Sequence, residues 1–246
     1  MTQAAPRPGT LWLVATPIGN LDDMSQRGRD LLASSDWIAS EDTRHTGRLL
    51  KHLGLDKRQI SLHEHNEAQR IDRLLELLRQ GDDVALVSDA GTPLICDPGF
   101  RLVRAVTDAE LPVGTVPGPT AFVAAVVLSG LPTTPMTFLG FPPPKAGKRR
   151  RLFESVAELA HTVVFYESPH RIGRCLRDAL EVFGNRRASL SRELTKLHEE
   201  TLRGSLTELV SVDEQRGSWK GELVVCVAPT GYTEKLAKSS QSPRTS

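Results

Sequence analysis

Acidic side chains stand where short apolar runs stop. Glu41 and Asp42 follow Trp37-Ile-Ala-Ser40, Asp89 follows Val84-Ala-Leu-Val-Ser88, and Glu167 follows Thr162-Val-Val-Phe-Tyr166. A carboxylate in such a place, or the nearby His170, is a candidate for taking a proton from a weakly acidic hydroxyl. The sequence does not choose among Asp42, Glu41, Glu167 and His170. Asp42 and Glu167, each at the carboxyl end of a run, are put forward as catalytic. Each also has a plainer use: Asp42 as the N-cap of the helix after it, Glu167 as an ion-pair partner of Arg171 at i+4. The turns themselves repeat one chemistry. Thr16-Pro-Ile-Gly19, Asp89-Ala-Gly-Thr-Pro93, Pro117-Gly-Pro-Thr120 and Glu167-Ser-Pro-His170 each set small side chains and main-chain N–H groups at the head of a helical stretch. Helix heads attract anions, and glycine lets a ligand approach the backbone. Such turns suit a flat, polar small molecule that carries a carboxylate. No G-x-G-x-x-G follows the first apolar run and no G-x-x-x-x-G-K-[ST] occurs, which argues against a dinucleotide site and excludes a P-loop. His63 and His65 alternate on one extended segment, but they lack a third ligand, so no metal is expected.

The elements that position these turns alternate. Leu11–Ala15, Trp37–Ser40, Ile60–Leu62, Val84–Val87 and Val113–Val116 read as strands, with helical patterns between them over 25–34, around Leu49–Leu53, Ile71–Leu78, Leu102–Val106 and Phe122–Leu128. Strand, turn, helix repeated in this way predicts an α/β sheet with helices on its faces. Ligands in such sheets sit at the carboxyl ends of the strands. Asn66 with Gln69 resembles a capping box, and Asp97-Pro98 reads as an N-cap followed by proline at the first helical position. The Phe122–Leu128 helix is apolar nearly all round and is expected to be buried. Pro142-Pro143-Pro144 is a rigid spacer, and the domain boundary is placed near it. After it come a helix through Leu152 to Leu159, a strand over 162–166, a helix over Ile172–Phe183 with Ser168 and Pro169 at its head, strands at 188–191 and 222–227, and a helix over 205–212. The second half reads as mixed α+β with antiparallel pairing. The division expected is a disordered tail over 1–9, an α/β domain over 10–135, a mixed domain over 136–230 and a disordered tail over 231–246.

Composition narrows the classes. The 246 residues are 39% hydrophobic and 25% charged, with a formal net charge of +1, so no bulk charge argues for nucleic acid or membrane. Cys96, Cys175 and Cys226 are scattered, which suits a reducing compartment. Without a secretory h-region or an apolar run of spanning length, no membrane is expected and the cytoplasm is the default. Lys145, Lys148, Arg149, Arg150 and Arg151 do cluster, and with Arg171 they are the candidate phosphate contacts.

Seven stretches in order carry a likeness: Ala15-Thr-Pro-Ile-Gly-Asn-Leu-Asp-Asp23, Ser40-Glu-Asp-Thr-Arg44, Leu62-His-Glu-His-Asn-Glu67, Val87-Ser-Asp-Ala-Gly-Thr-Pro93, Asp97-Pro-Gly99, Val116-Pro-Gly-Pro-Thr-Ala121 and Phe165-Tyr-Glu-Ser-Pro-His-Arg171. Together, over residues 10 to 229, the chain resembles the small-subunit ribosomal RNA methyltransferases of the tetrapyrrole (precorrin-like) methylase superfamily. The resemblance implies a two-domain tetrapyrrole methylase fold, with a parallel-rich first sheet, a mixed second sheet and a cofactor cleft between them. It implies S-adenosylmethionine as cofactor, 2′-O-ribose methylation of a decoding-centre cytidine in 16S ribosomal RNA, action within the small subunit, and a homodimer. It further implies cofactor contacts at Asp89, Ala90, Gly91 and Pro93, at Thr120 and Ala121, at Tyr166 beside Glu167, and at Pro229. A same-fold methylase of a tetrapyrrole or diphthamide precursor, or a non-catalytic ribosome assembly factor, are the alternatives. The basic cluster and the stretches at 40–44 and 62–67 favour RNA over the first of these.

Overall fold

A computed structural model describes residues 7–63 and 66–233. The chain divides into two compact units after Thr120. The first holds β1 (Leu11–Val14), α1 (Gln26–Ser34), β2 (Trp37–Ser40), α2 (Thr43–His52), β3 (Arg58–Ser61), α3 (Glu67–Gln80), β4 (Val84–Val87), α4 (Phe100–Asp108) and β5 (Val113–Val116). Its five strands lie in the order β3-β2-β4-β1-β5, all parallel. The chain runs outward from β1 to β2 and β3, then returns through β4 to β5. Right-handed crossovers therefore place α1 and α2 on one face and α3 and α4 on the other. The two cores bear this out. Leu32 and Leu50 pack with Val14, Ile38 and Val87 on one side. Leu74, Leu78, Leu102 and Val106 pack with Leu11, Val84 and Leu86 on the other. Val84–Val87 is buried at every position, the pattern of a central strand covered on both faces.

The second unit holds α5 (Ala121–Ser129), β6 (Met136–Phe138), α6 (Ala146–Glu154), β7 (Thr162–Glu167), α7 (Ile172–Phe183), β8 (Arg187–Arg192), β9 (Glu200–Ser205), α8 (Leu206–Arg216) and β10 (Leu223–Val227). Its sheet runs β6-β7-β10-β8-β9. Only the β6–β7 pair is parallel; the other three pairs are antiparallel. Phe153, Phe165, Leu176, Phe183 and Leu223 form its core.

Several local expectations differ from the structure. Helix α4 starts at Phe100, not at Pro98, because Glu67 of α3 reaches across and Oε1 accepts from the N–H groups of Arg101 and Leu102. Asn66 makes no capping bond; its Oδ1 accepts the His63 N–H instead. Helix α5 belongs to the second unit and is not fully buried, since Val123 and Val127 are 44% and 70% exposed. The unit boundary thus falls ahead of α5, not near the prolines. Helix α6 ends at Glu154, and α7 starts at Ile172 with Arg171, not Ser168, as its cap. Strand β9 has no strong apolar pattern and was not expected. Gly9, assigned to a disordered tail, is buried and donates to the Leu78 carbonyl; residues 1–6, His65 and the stretch beyond 233 lie outside the described residues.

Candidate functional site

In the first unit the carboxyl tips of four strands are tied to one another. The loop after β1 and the loop after β4 form a two-residue antiparallel bridge: Thr16 N–H donates to Gly91 O at 2.9 Å and Gly91 N–H to Thr16 O at 3.1 Å. Thr16 Oγ1 also donates to Ser88 O. Thr92 Oγ1 donates to Pro119 O at 3.1 Å and lies 2.7 Å from Thr120 Oγ1, which joins the β4 loop to the β5 loop. The Asp42 N–H donates to Asp89 Oδ1 at 3.3 Å and brings in the β2 tip. The chain leaves β1 toward one edge of the sheet and leaves β4 toward the other, so the Thr16–Gly91 bridge marks the point where the strand order reverses. Ligands of open α/β sheets bind at such a point.

The local backbone is built for close approach. Gly91 sits at φ +82°, and a Cβ there would press on Ile18. A Cβ on Gly118 would stand 2.9 Å from that of Ala15. Leu94 and Cys96 are also left-handed, at φ 71° and 69°. Two non-glycine residues held so within one short loop store strain, a feature that clusters at ligand sites. Ala90 and Gly118 are exposed, Asp89 and Thr120 half-buried, and Gly91 and Pro93 buried. The expected contacts at Asp89, Ala90, Gly91, Pro93 and Thr120 thus belong to one continuous set of tips. Small exposed residues beside an oriented carboxylate fit a compact ligand bearing an ammonium or sulfonium charge.

Asp42 is the N-cap of α2: its Oδ1 accepts the Arg44 N–H at 2.8 Å, and the Arg44 guanidinium pairs with both carboxylate oxygens. Those bonds hold its carboxyl down at about 2. It is ionised at any physiological pH and is a weak base.

In the second unit Tyr166 lies near the end of β7. Its hydroxyl accepts the Phe122 N–H at 3.1 Å, so it fixes the head of α5, where Ala121 stands. The Phe138 and Phe141 rings flank it at 5.0 and 5.3 Å. Pro229 follows β10 and is half-buried. Glu167 is 0% exposed. One oxygen accepts from Ser168 N–H and pairs with Arg171 at 2.6 Å. A substrate hydroxyl cannot reach it. The expected catalytic role of Glu167 gives way to a positioning one, and the i+4 ion pair is what the side chain makes. Its charge and, above all, burial push the Cys175 thiol up; burial pushes Cys226 up to about 12. Neither thiol is a nucleophile at neutral pH.

The basic cluster divides. Arg149 is buried; its guanidinium is paired with Asp178 and donates to Pro143 O and Pro144 O, each at 3.1 Å. Arg150 pairs with Asp178 and Glu181, and Arg171 with Glu167 and Pro142 O. These three hold the fold, because each guanidinium finds a carboxylate of its own unit. Lys145, Lys148 and Arg151 are exposed. Sequence spacing could not separate them from Arg149, whose partner is 29 residues away. Among the described residues, no group of three or more His, Cys, Asp or Glu side chains could hold a metal ion, and no helix is long and apolar enough to cross a membrane.

The family described as Tetrapyrrole (Corrin/Porphyrin) Methylases matches residues 10–210. The chain is 48% identical over 222 residues to "Ribosomal RNA small subunit methyltransferase I" of Xylella fastidiosa, covering 89% of this chain and 81% of that one. The protein of the same name from Micromonospora olivasterospora is 48% identical over 89% of this chain and 70% of its own. That from Vibrio cholerae is 47% identical over 88% and 76%. Among solved structures, uroporphyrin-III-C-methyltransferase of Thermus thermophilus superposes with a TM-score of 0.62 at 23% identity, over 89% of this chain and 94% of that one. That likeness speaks for the fold alone.

Proposed function

Because this chain belongs to the tetrapyrrole methylases and, within them, to the ribosomal RNA small subunit methyltransferase I family, we propose that it methylates a cytidine of the decoding centre of 16S ribosomal RNA at the ribose 2′-oxygen. The coarser part, methylation of small-subunit ribosomal RNA, is what its relatives are named for. The single observation that carries the site is the knot of strand tips around the Thr16–Gly91 bridge. S-Adenosylmethionine, when bound, supplies a methyl group already activated on a sulfonium. Asp89, Ala90, Gly91, Pro93 and Thr120, at that knot, would hold it.

The residues have two tasks. The ribose hydroxyl must lie in line with the methyl group at near-attack distance, which by itself is worth several orders of magnitude in rate. Its proton must leave as the new C–O bond forms. Asp42, half-exposed at the β2 tip, accepts a hydrogen bond from that hydroxyl; held at about 2, it orients the nucleophile more than it draws off the proton. Glu41, exposed beside it, is another acceptor on this loop. Lys145, Lys148 and Arg151 meet the phosphates. A cytoplasmic homodimer acting on the small ribosomal subunit completes the proposal. The test is transfer of labelled methyl from S-adenosylmethionine to assembled small subunits or to naked 16S RNA. Label in the RNA is expected. Label in neither substrate overturns the proposal, and absence of cofactor binding by calorimetry would turn it toward an assembly factor.

A further inference from the structure

Phe141 is an aromatic side chain held rigidly in solvent. It is 45% exposed, yet its backbone is fixed on both sides. Before it, Gly140 takes a left-handed φ of 63° and its carbonyl accepts the Tyr166 N–H at 2.9 Å. After it, the carbonyls of Pro142, Pro143 and Pro144 accept from Arg171 and Arg149. Those guanidinium groups are in turn anchored by Glu167 and Asp178. Two buried ion pairs thus clamp one triproline strap. The ring is the outermost of an aromatic series: Phe122 stacks on Phe138 at 4.3 Å, Phe138 meets Tyr166 edge-on, and Phe141 leans on Tyr166 at 5.3 Å.

Core packing does not require the last ring of that series to face water, and an exposed phenyl ring gains nothing from it. Rigidity lowers the entropy lost when a partner stacks on it. Immediately beyond the strap, Lys145, Lys148 and Arg151 recur every third residue. On α6 that spacing sets Lys148 and Arg151 on one side, away from the buried Arg149. An aromatic face next to a row of exposed cations is the pairing that grips an unstacked nucleobase and its flanking phosphates.

We propose that Phe141 is a stacking platform for an unpaired nucleobase of the substrate RNA, with Lys145, Lys148 and Arg151 on the adjoining phosphates. This deepens the function above and rests on RNA being the substrate. The experiment compares wild type with F141L and F141W in methyl transfer to assembled small subunits, with cofactor affinity measured in parallel. F141L keeps the apolar bulk and removes the π face, so the KM for subunits should rise about tenfold, within the range for one stacked base, while F141W should restore it. Cofactor affinity should not change. An F141L enzyme with the wild-type KM overturns the platform and leaves the methyltransferase standing. So does an F141W enzyme as impaired as F141L, since a wider π face should then have rescued it. Wild type that transfers no methyl to RNA overturns the function, and the platform falls with it.

Discussion

The main-chain N–H of Asp42 donates to the carboxylate of Asp89 at 3.3 Å, tying the tip of β2 to the tip of β4. The bond orients the Asp89 side chain beside the Thr16–Gly91 bridge. Asp89→Ala removes that bond and, in the proposed site, a negative charge that would face a cationic cofactor. Hydrogen bonds to charged groups are worth about 1.5–3 kcal/mol, so affinity for S-adenosylmethionine should fall by roughly ten- to a hundredfold. Calorimetry reads this directly, and an unchanged affinity would take Asp89 out of the site.

Arg44 sets the acidity of Asp42. Its hydrogen bonds hold the carboxyl at about 2, below the ordinary 3.8. With the folded value below the unfolded one, the stabilising contribution is complete above 3.8 and is lost as pH falls through 2. In carboxyl-carbon NMR, Asp42 should titrate near 2 in wild type and higher in Arg44→Ala, short of 3.8 because the main-chain N–H groups of residues 44 and 45 still lower it. A wild-type midpoint already near 3.8 would contradict the assignment.

Arg149 is a structural cation. Its removal breaks the buried pair and leaves Asp178 only the half-exposed Arg150, a loss of up to about 3–5 kcal/mol. Arg149→Met should therefore unfold at clearly lower denaturant, and adding Asp178→Leu should recover much of the loss. A single variant as stable as wild type would show that the pair does not clamp the strap.

The exposed cations should behave in the opposite way. Replacing Lys145, Lys148 and Arg151 together by Ala should leave the unfolding midpoint unchanged. RNA affinity should drop, and the slope of log affinity against log salt should shrink by about 2, the release expected from three phosphate contacts. An unaltered slope would place the RNA elsewhere.

Much of this was legible in residue order. Val84–Val87 announced a central strand by being apolar throughout, and Ser25 and Ser205 cap helices as their types suggest. Thr16, Gly91, Thr92 and Thr120 lie in turns whose composition marked them in advance. Several failures share one cause: the deciding partner was distant in sequence. Glu67 caps α4 from another helix, which no pattern around Asp97-Pro98 could reveal. Arg149 and Lys148 are neighbours with the same charge, and only Asp178 tells them apart. Glu167 looked like a strand-tip base because burial cannot be read from position. Val123 and Val127 face outward because an all-apolar helix has no pattern to say which side packs.

The most direct test is nucleoside mass spectrometry of 16S ribosomal RNA after incubating small subunits with the protein and S-adenosylmethionine. The account predicts one new species, a cytidine heavier by a methyl group that stays with the ribose when the glycosidic bond is cleaved. A methyl group that stays with the base, or no new methylated nucleoside at all, would contradict it.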